Sequence, residues 1–169
     1  MKLRITTLVV TGFIAFQMAA GCASTPTQTG SRDIVNDPFP EAKEEVLATM
    51  RKIHQDAVNG NVGALRFHHL NSPKFSKFGP RKHERQTFEE TSESEASFFS
   101  SITDFTIDPK EMKVDVFGDV AVVTYYPHVT FKKDGKKMKG NGRQTAVFVK
   151  TAEGWLIAHE HGTGTKLEE

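Results

Sequence analysis

Two histidines one residue apart stand near the end of the chain, in Trp155-Leu156-Ile157-Ala158-His159-Glu160-His161-Gly162-Thr163. On a strand, period two gathers Trp155, Ile157, His159, His161 and Thr163 on one face and Leu156, Ala158 and Glu160 on the other. Two imidazoles on one face can grip a polar ligand, or act as acid and base near neutrality. They can equally hydrogen-bond neighbouring strands or a second copy of the chain, and alternation alone does not decide which face meets a pocket. As metal ligands they are too few, since zinc needs three protein ligands plus water, or four. His128 on another strand would be a third, but no spacing demands it, so neither a metal nor any other cofactor is expected.

Arg143 opens a strand and can receive a carboxylate in its bidentate fork, or pair with an acidic residue across a sheet. Tyr126 and His128 share a strand face and are candidate pocket residues; Pro127 between them implies an edge or a bulge, because proline has no N–H for the ladder. His68 and His69 close a short helix, where a satisfied structural role is the ordinary one. Lys132, Lys133, Lys136, Lys137 and Lys139 surround the Asp134-Gly135 turn. They fit a soluble tip guarded against edge pairing, or a contact with anionic lipid or polymer.

The single cysteine, Cys22, carries a different kind of chemistry. Lys2 and Arg4 precede an apolar run from Ile5 to Ala20, and Ala19-Ala20-Gly21-Cys22 follows. A basic start, a short apolar core and small residues mark a secretory signal, too short for a comfortable membrane span. The final four residues resemble a lipobox, with Ala19 at the usual Leu position, and Ala23 resembles an outer-membrane sorting residue. The expectation is a signal peptide over 1–21, a lipidated Cys22 with a flexible polar tether over 22–37, and one domain over 38–166. It places the protein in the cell envelope, lipid-anchored at the outer membrane and facing the periplasm. An unpaired thiol is a liability in an oxidising compartment, and lipidation consumes it. Loss of Lys2 and Arg4 with the signal leaves 20 of the 22 Lys+Arg against 21 Asp+Glu, a net charge of −1. That balance argues against a nucleic-acid partner.

The elements that must position these side chains are readable from period and punctuation. Glu41–Asn59 is expected to be a helix, with Val46, Leu47, Met50, Ile53, Ala57 and Val58 at helical spacing and Asn59-Gly60 as its stop. Asn61 caps a second helix reaching Leu70. A third runs from about Glu84 to Ile102, its acidic Glu89–Glu95 stretch mostly solvated. Lys74–Phe78 alternates weakly, enough for a short edge strand. Then the period changes to two: Met112–Val116, Val120–Phe131, Lys139–Lys150 and Trp155–His161, with Gly118-Asp119, Asp134-Gly135 and Glu153-Gly154 as turns. Helices followed by a four-strand meander give an α+β fold.

Gly118-Asp119-Val120-Ala121-Val122-Val123-Thr124, Gly142-Arg143-Gln144-Thr145-Ala146-Val147 and Gly154-Trp155-Leu156-Ile157-Ala158-His159-Glu160-His161-Gly162-Thr163 together resemble the SnoaL-like branch of the nuclear transport factor 2-like superfamily. The resemblance covers about Glu41 to Thr163. It implies a cone with one pocket, three N-terminal helices packed on a curved antiparallel sheet of about four strands, and homodimerisation through the sheet. Superfamily members that abstract protons like ketosteroid isomerase carry an acidic base in the stretch matching Lys74–Phe78, which has no Asp or Glu here. No complete catalytic set is visible, and fold alone does not supply function. The reading is a lipid-anchored, non-catalytic module that binds a small amphipathic ligand, or an interaction domain. Tyr126, His128, Arg143, His159 and His161 are its candidate polar anchors in a Phe-lined pocket. The competing reading is a small-molecule dehydratase or hydrolase with His159 or His161 as general base.

Overall fold

A computed structural model describes residues 33–80 and 82–164. The expected signal peptide, Cys22 and all but the last residues of the tether lie outside the described residues. The element order is α1 (Pro40–Val58), α2 (Val62–Phe67), β1 (Ser76–Phe78), α3 (Phe88–Ser100), β2 (Thr103–Phe117), β3 (Val120–Lys133), β4 (Lys136–Thr151) and β5 (Gly154–Gly164). One sheet runs in the order β1-β5-β4-β3-β2. It has five strands rather than about four, because Ser76–Phe78 joins as an edge strand. That strand pairs with β5 in parallel, so the sheet is mixed rather than wholly antiparallel.

The second helix ends earlier and the third begins later than their hydrophobic spacing suggests, and local hydrogen bonds explain both. Asn61 caps α2 through the Ala64 N–H. The helix ends at Phe67 because the last strand recruits the adjoining residues: Ile157 N–H donates to the His68 carbonyl, and Leu70 N–H to the Ile157 carbonyl. For α3, the start is set at Thr87 by a reciprocal capping box with Glu90. Gln86 just before it stays extended, exchanging two backbone hydrogen bonds with Lys77.

Core and cavity share one face of the sheet. Along β3, Ala121 and Val123 point into a core with Val46 and Met50 of α1, Phe148 of β4 and Trp155 and Ile157 of β5. Further along the same face, Tyr125, Pro127, Val129 and Phe131 wall a cavity instead. Asp134 and Gly135 both adopt positive φ, as the two-residue turn requires. Pro127 lies inside the sheet, facing Pro109 of β2, rather than at an edge. Its missing N–H coincides with a gap in the β3–β4 ladder between Tyr125–Gln144 and His128–Asn141.

Two bulges govern which side chains face inward. In β2 the register shifts between Lys110 and Lys113, with Glu111 at φ 50°. Inward residues are therefore Val116, Val114 and Met112 on one side of the bulge and Ile107 and Phe105 on the other. In β5 the pairing moves from Phe148–Ile157 to Val147–His159, leaving Ala158 as the extra residue. A bulge changes the phase of everything beyond it. Trp155 and Ile157 face the core before it, and Glu160 and Gly162 face inward after it.

Candidate functional site

The second bulge builds the site. Parallel pairing sets Lys77 of β1 beside Glu160 of β5. The Lys77 ammonium lies 2.7 Å from a carboxylate oxygen of Glu160 and 2.7 Å from one of Glu95 on α3. His69 enters from the chain after α2, held near β5 by its bridge to Ile157. Its Nε2 is 3.4 Å from Glu160 and 3.8 Å from Glu95. The Gln144 amide donates to the other Glu160 oxygen at 3.3 Å. His69 is 6% exposed, and its Nδ1 is buried with no hydrogen-bond partner.

Charge in this cluster is fixed by neighbours against the pull of burial. For Glu160, burial favours protonation. The charge of Lys77 and the hydrogen bond from His69 outweigh it, and the carboxyl is held well below its ordinary range. Burial likewise opposes the Lys77 charge, but Glu160 and Glu95 hold that ammonium above its usual value. At His69 burial works against protonation, and the hydrogen bond and charge of Glu160, then the charge of Glu95, raise it overall. Tyr125, buried and facing the charge of Glu160, is kept a neutral phenol. His54 of α1 meets the Tyr125 hydroxyl at 3.5 Å, and burial lowers its pKa.

The cavity beside this cluster has a volume of about 450 Å³, within the usual range for small-molecule sites. Lys77, Glu95, Tyr125 and Gln144 form its polar end. Phe98, Phe99, Phe105 and Phe131, with Ile107 and Val129, form its apolar walls. Phe98 packs edge-to-face against each of the other three rings, with centroids 5.2–6.3 Å apart. Gly142, also in the lining, is required there because a Cβ would collide with the Thr163 carbonyl.

Of the candidates named from the sequence, the structure places none around this cavity. Tyr126 (44% exposed), His128, Arg143 and His161 are exposed on the opposite face of the sheet. His159 is half-buried on that face, where its Nδ1 meets the Ser76 hydroxyl at 2.9 Å and the Phe78 ring lies against both His159 and His161. The residues that do face inward are their immediate neighbours Tyr125, Gln144 and Glu160. Period two, applied through the Ala158 bulge, groups His159 and His161 with Trp155 and Ile157, whereas the structure puts the two histidines on the opposite face from those core residues. Glu95 was legible on the buried stripe of α3 with Phe88, Ser92 and Phe99, but the acidic run around it reads as solvated. Lys77 had one signal, a charged residue centred in Phe75-Ser76-Lys77-Phe78.

His69, Glu95 and Glu160 place ligand atoms within 4.8 Å of one another, a spacing that suits a metal ion. Here Lys77 supplies the cation, its ammonium touching both carboxylates. Glu160, held far below neutrality, is a poor proton acceptor, and Lys77 a poor donor. His69 is the member of the cluster whose charge its carboxylate neighbours favour against burial, the hydrogen bond and charge of Glu160 first.

A model of the SnoaL-like domain family matches residues 46–163. The chain belongs to this family. The SnoaL-like domain also has the fold of nuclear transport factor 2-like structures. A candidate dehydratase of that family from Streptomyces avermitilis superposes with a TM-score of 0.69 at 18% identity, covering 75% of this chain and 98% of that one. A nuclear transport factor 2-like superfamily protein from Salmonella enterica gives 0.67 at 22% identity, covering 75% and 93%. The CamKII hub homology domain of Chlamydomonas reinhardtii gives 0.60 at 21% identity, covering 74% and 99%. Such likenesses show the shared cone and not a shared activity. No curated protein matches the chain.

The two buried histidines make a prediction for the SnoaL-like domain. The His69 pKa is raised on folding, so its contribution to stability is full below the unfolded value near 6.5 and is lost as pH rises through the folded value. The His54 pKa is lowered, so its contribution is present above the unfolded value and is lost as pH falls. The two windows adjoin at the unfolded value. Chemical denaturation from pH 5.5 to 8.5 should give a wild-type profile that rises toward that value and falls beyond it. His54→Phe should leave stability falling with pH, and His69→Gln should leave it rising, each by no more than about 1.4 kcal/mol per pH unit.

Proposed function

We propose that this chain is a lipid-anchored envelope protein whose SnoaL-like domain binds one small amphipathic molecule without transforming it. The observation that carries the reading is the division of the cavity: four phenylalanines along its length, and at one end a polar floor of Lys77, Glu95, Tyr125 and Gln144. The charges of that floor are mutually satisfied, and with His69 protonated they cancel. An uncharged polar head, donating to or accepting from Tyr125 and Gln144, suits it better than a free ion. Cys22, with Lys2, Arg4 and the apolar run before it, supports an anchor at the outer membrane facing the periplasm. The exposed outer sheet face, with Tyr126, His128, Arg143 and His161, is where a second copy would pair to form a homodimer.

A second reading has one observation in its favour: the buried His69 imidazole beside the Glu160 carboxylate, next to the Lys77 and Glu95 that line the cavity. It is that of a dehydratase or hydrolase, the former being the class named for the Streptomyces neighbour. The general base is then His69, since His159 and His161 lie across the sheet from the cavity. Native mass spectrometry of the delipidated protein from its own host separates the readings. Binding predicts one unchanged small molecule retained per chain and displaced by an uncharged aromatic amphiphile. An empty cavity in every preparation, with no saturable uptake of such a probe, would overturn it. Conversion of the retained molecule to a new mass, abolished by His69→Gln, would establish the enzyme.

A further inference from the structure

The β3–β4 hairpin carries five lysines within eight residues, and the register sets like against like. Lys132 faces Lys137 and Lys133 faces Lys136 across the strands. Like charges directly opposite destabilise a strand pair. Asp104 holds Lys132 at 2.7 Å. Protection of an edge explains part of the pattern: among the described residues, β5 pairs with β4 only from Gly142 onward. It does not explain the placement on both faces. Lys132, Lys137 and Lys139 point to the outer face, whereas Lys133 and Lys136 point to the inner one.

The inner-face pair continues the cavity. Along β3 and β4, the inward rows run Val129–Gly140, Phe131–Met138 and Lys133–Lys136. Val129, Phe131 and Gly140 line the cavity. The apolar wall therefore passes through Met138 to a basic tip at the end remote from Lys77. The hairpin end presents cations on both faces, which complements the anionic headgroups of a bilayer surface, and the apolar track behind it leads into the cavity.

We propose that this hairpin is a docking element for an anionic lipid surface, set at the mouth of the cavity. The docking stands independently of the cavity's contents. The further step, that an amphipathic cargo passes between bilayer and cavity along Phe131 and Met138, rests on the binding function proposed above.

The mature chain, residues 22–169, carrying Cys22→Ser so that neither signal peptide nor lipid is present, is mixed with vesicles of phosphatidylcholine alone or of phosphatidylcholine with phosphatidylglycerol. The expected result is binding to the anionic vesicles only, weakened by added salt. A variant with Lys133, Lys136, Lys137 and Lys139 all changed to Gln should bind at least about tenfold more weakly with a melting temperature no lower than that of the unsubstituted chain. Equal binding to both vesicles, or an unaffected variant, would overturn the proposal. So would preference for a soluble polyanion that the anionic vesicles fail to displace. If vesicles bind but a fluorescent amphiphile in them is not taken up, the docking stands and the cargo step falls.

Discussion

Lys77→Met should cost the domain about 3–5 kcal/mol, the range seen when one partner of a buried ion pair is removed. The residue contributes little apolar surface that methionine cannot replace, so the loss is electrostatic. Two carboxylates, Glu95 and Glu160, would face each other with His69 as their remaining cation. Urea denaturation at neutral pH reads the loss directly. Two companions show that charge is its source. Adding Glu160→Gln to Lys77→Met should recover a substantial part of it, because the isolated carboxylate is then gone. The gap between wild type and Lys77→Met should also narrow in acid. In the wild type, the Glu160 contribution is present above the unfolded carboxyl value and is lost only as pH falls through a folded value well below it. The variant's carboxylates, without Lys77, take up protons earlier and shed their repulsion. An equal loss at every pH would mean that Lys77 matters for packing instead.

Much of the fold could be read from the residues because local chemistry agreed with the final structure. The Asn61 cap, the Asp134-Gly135 turn and the α1 stripe are each decided within a few positions, and α1, predicted over 41–59, occupies Pro40–Val58. The site was not readable in the same way. Its members lie on α3, β1, β4, β5 and the turn after α2, and what brings them together is non-local. Parallel pairing aligns Lys77 with Glu160, and a backbone bridge to Ile157 stops α2 in time to present His69. Side-chain alternation also assumes an unbroken strand. Glu111 and Ala158 each break it, and neither is a glycine or proline that would announce a bulge. His159 and His161 were thus each one residue away from an inward-facing neighbour. Tyr126 and Arg143, on a β3–β4 pair whose register does not shift, sit on its outer face because alternation alone does not say which face is inward.

Ala158 is therefore the most informative residue to remove. Deleting it should join the Phe148–Ile157 pair directly to Val147–His159, so that β5 meets β4 in one continuous register and every residue beyond keeps its partner. Glu160 stays opposite Ala146 and inward, and His159 opposite Val147 and outward, now in plain alternation with Ile157. Lys77 and Glu95 therefore keep their buried partner, and the deletion should cost far less than Lys77→Met. The decisive measurement is their combination. If the extra residue only sets the phase, Lys77→Met should cost the same in the deletion background as in the wild type, to within about 0.5 kcal/mol. A coupling on the order of 1–3 kcal/mol would mean that the local twist of the bulge positions Glu160. Ala158→Gly, which keeps the extra residue, should leave the cluster and the cavity intact. A stretch of sequence whose side chains suggest a histidine site is, by one inserted backbone unit, made to present a carboxylate instead.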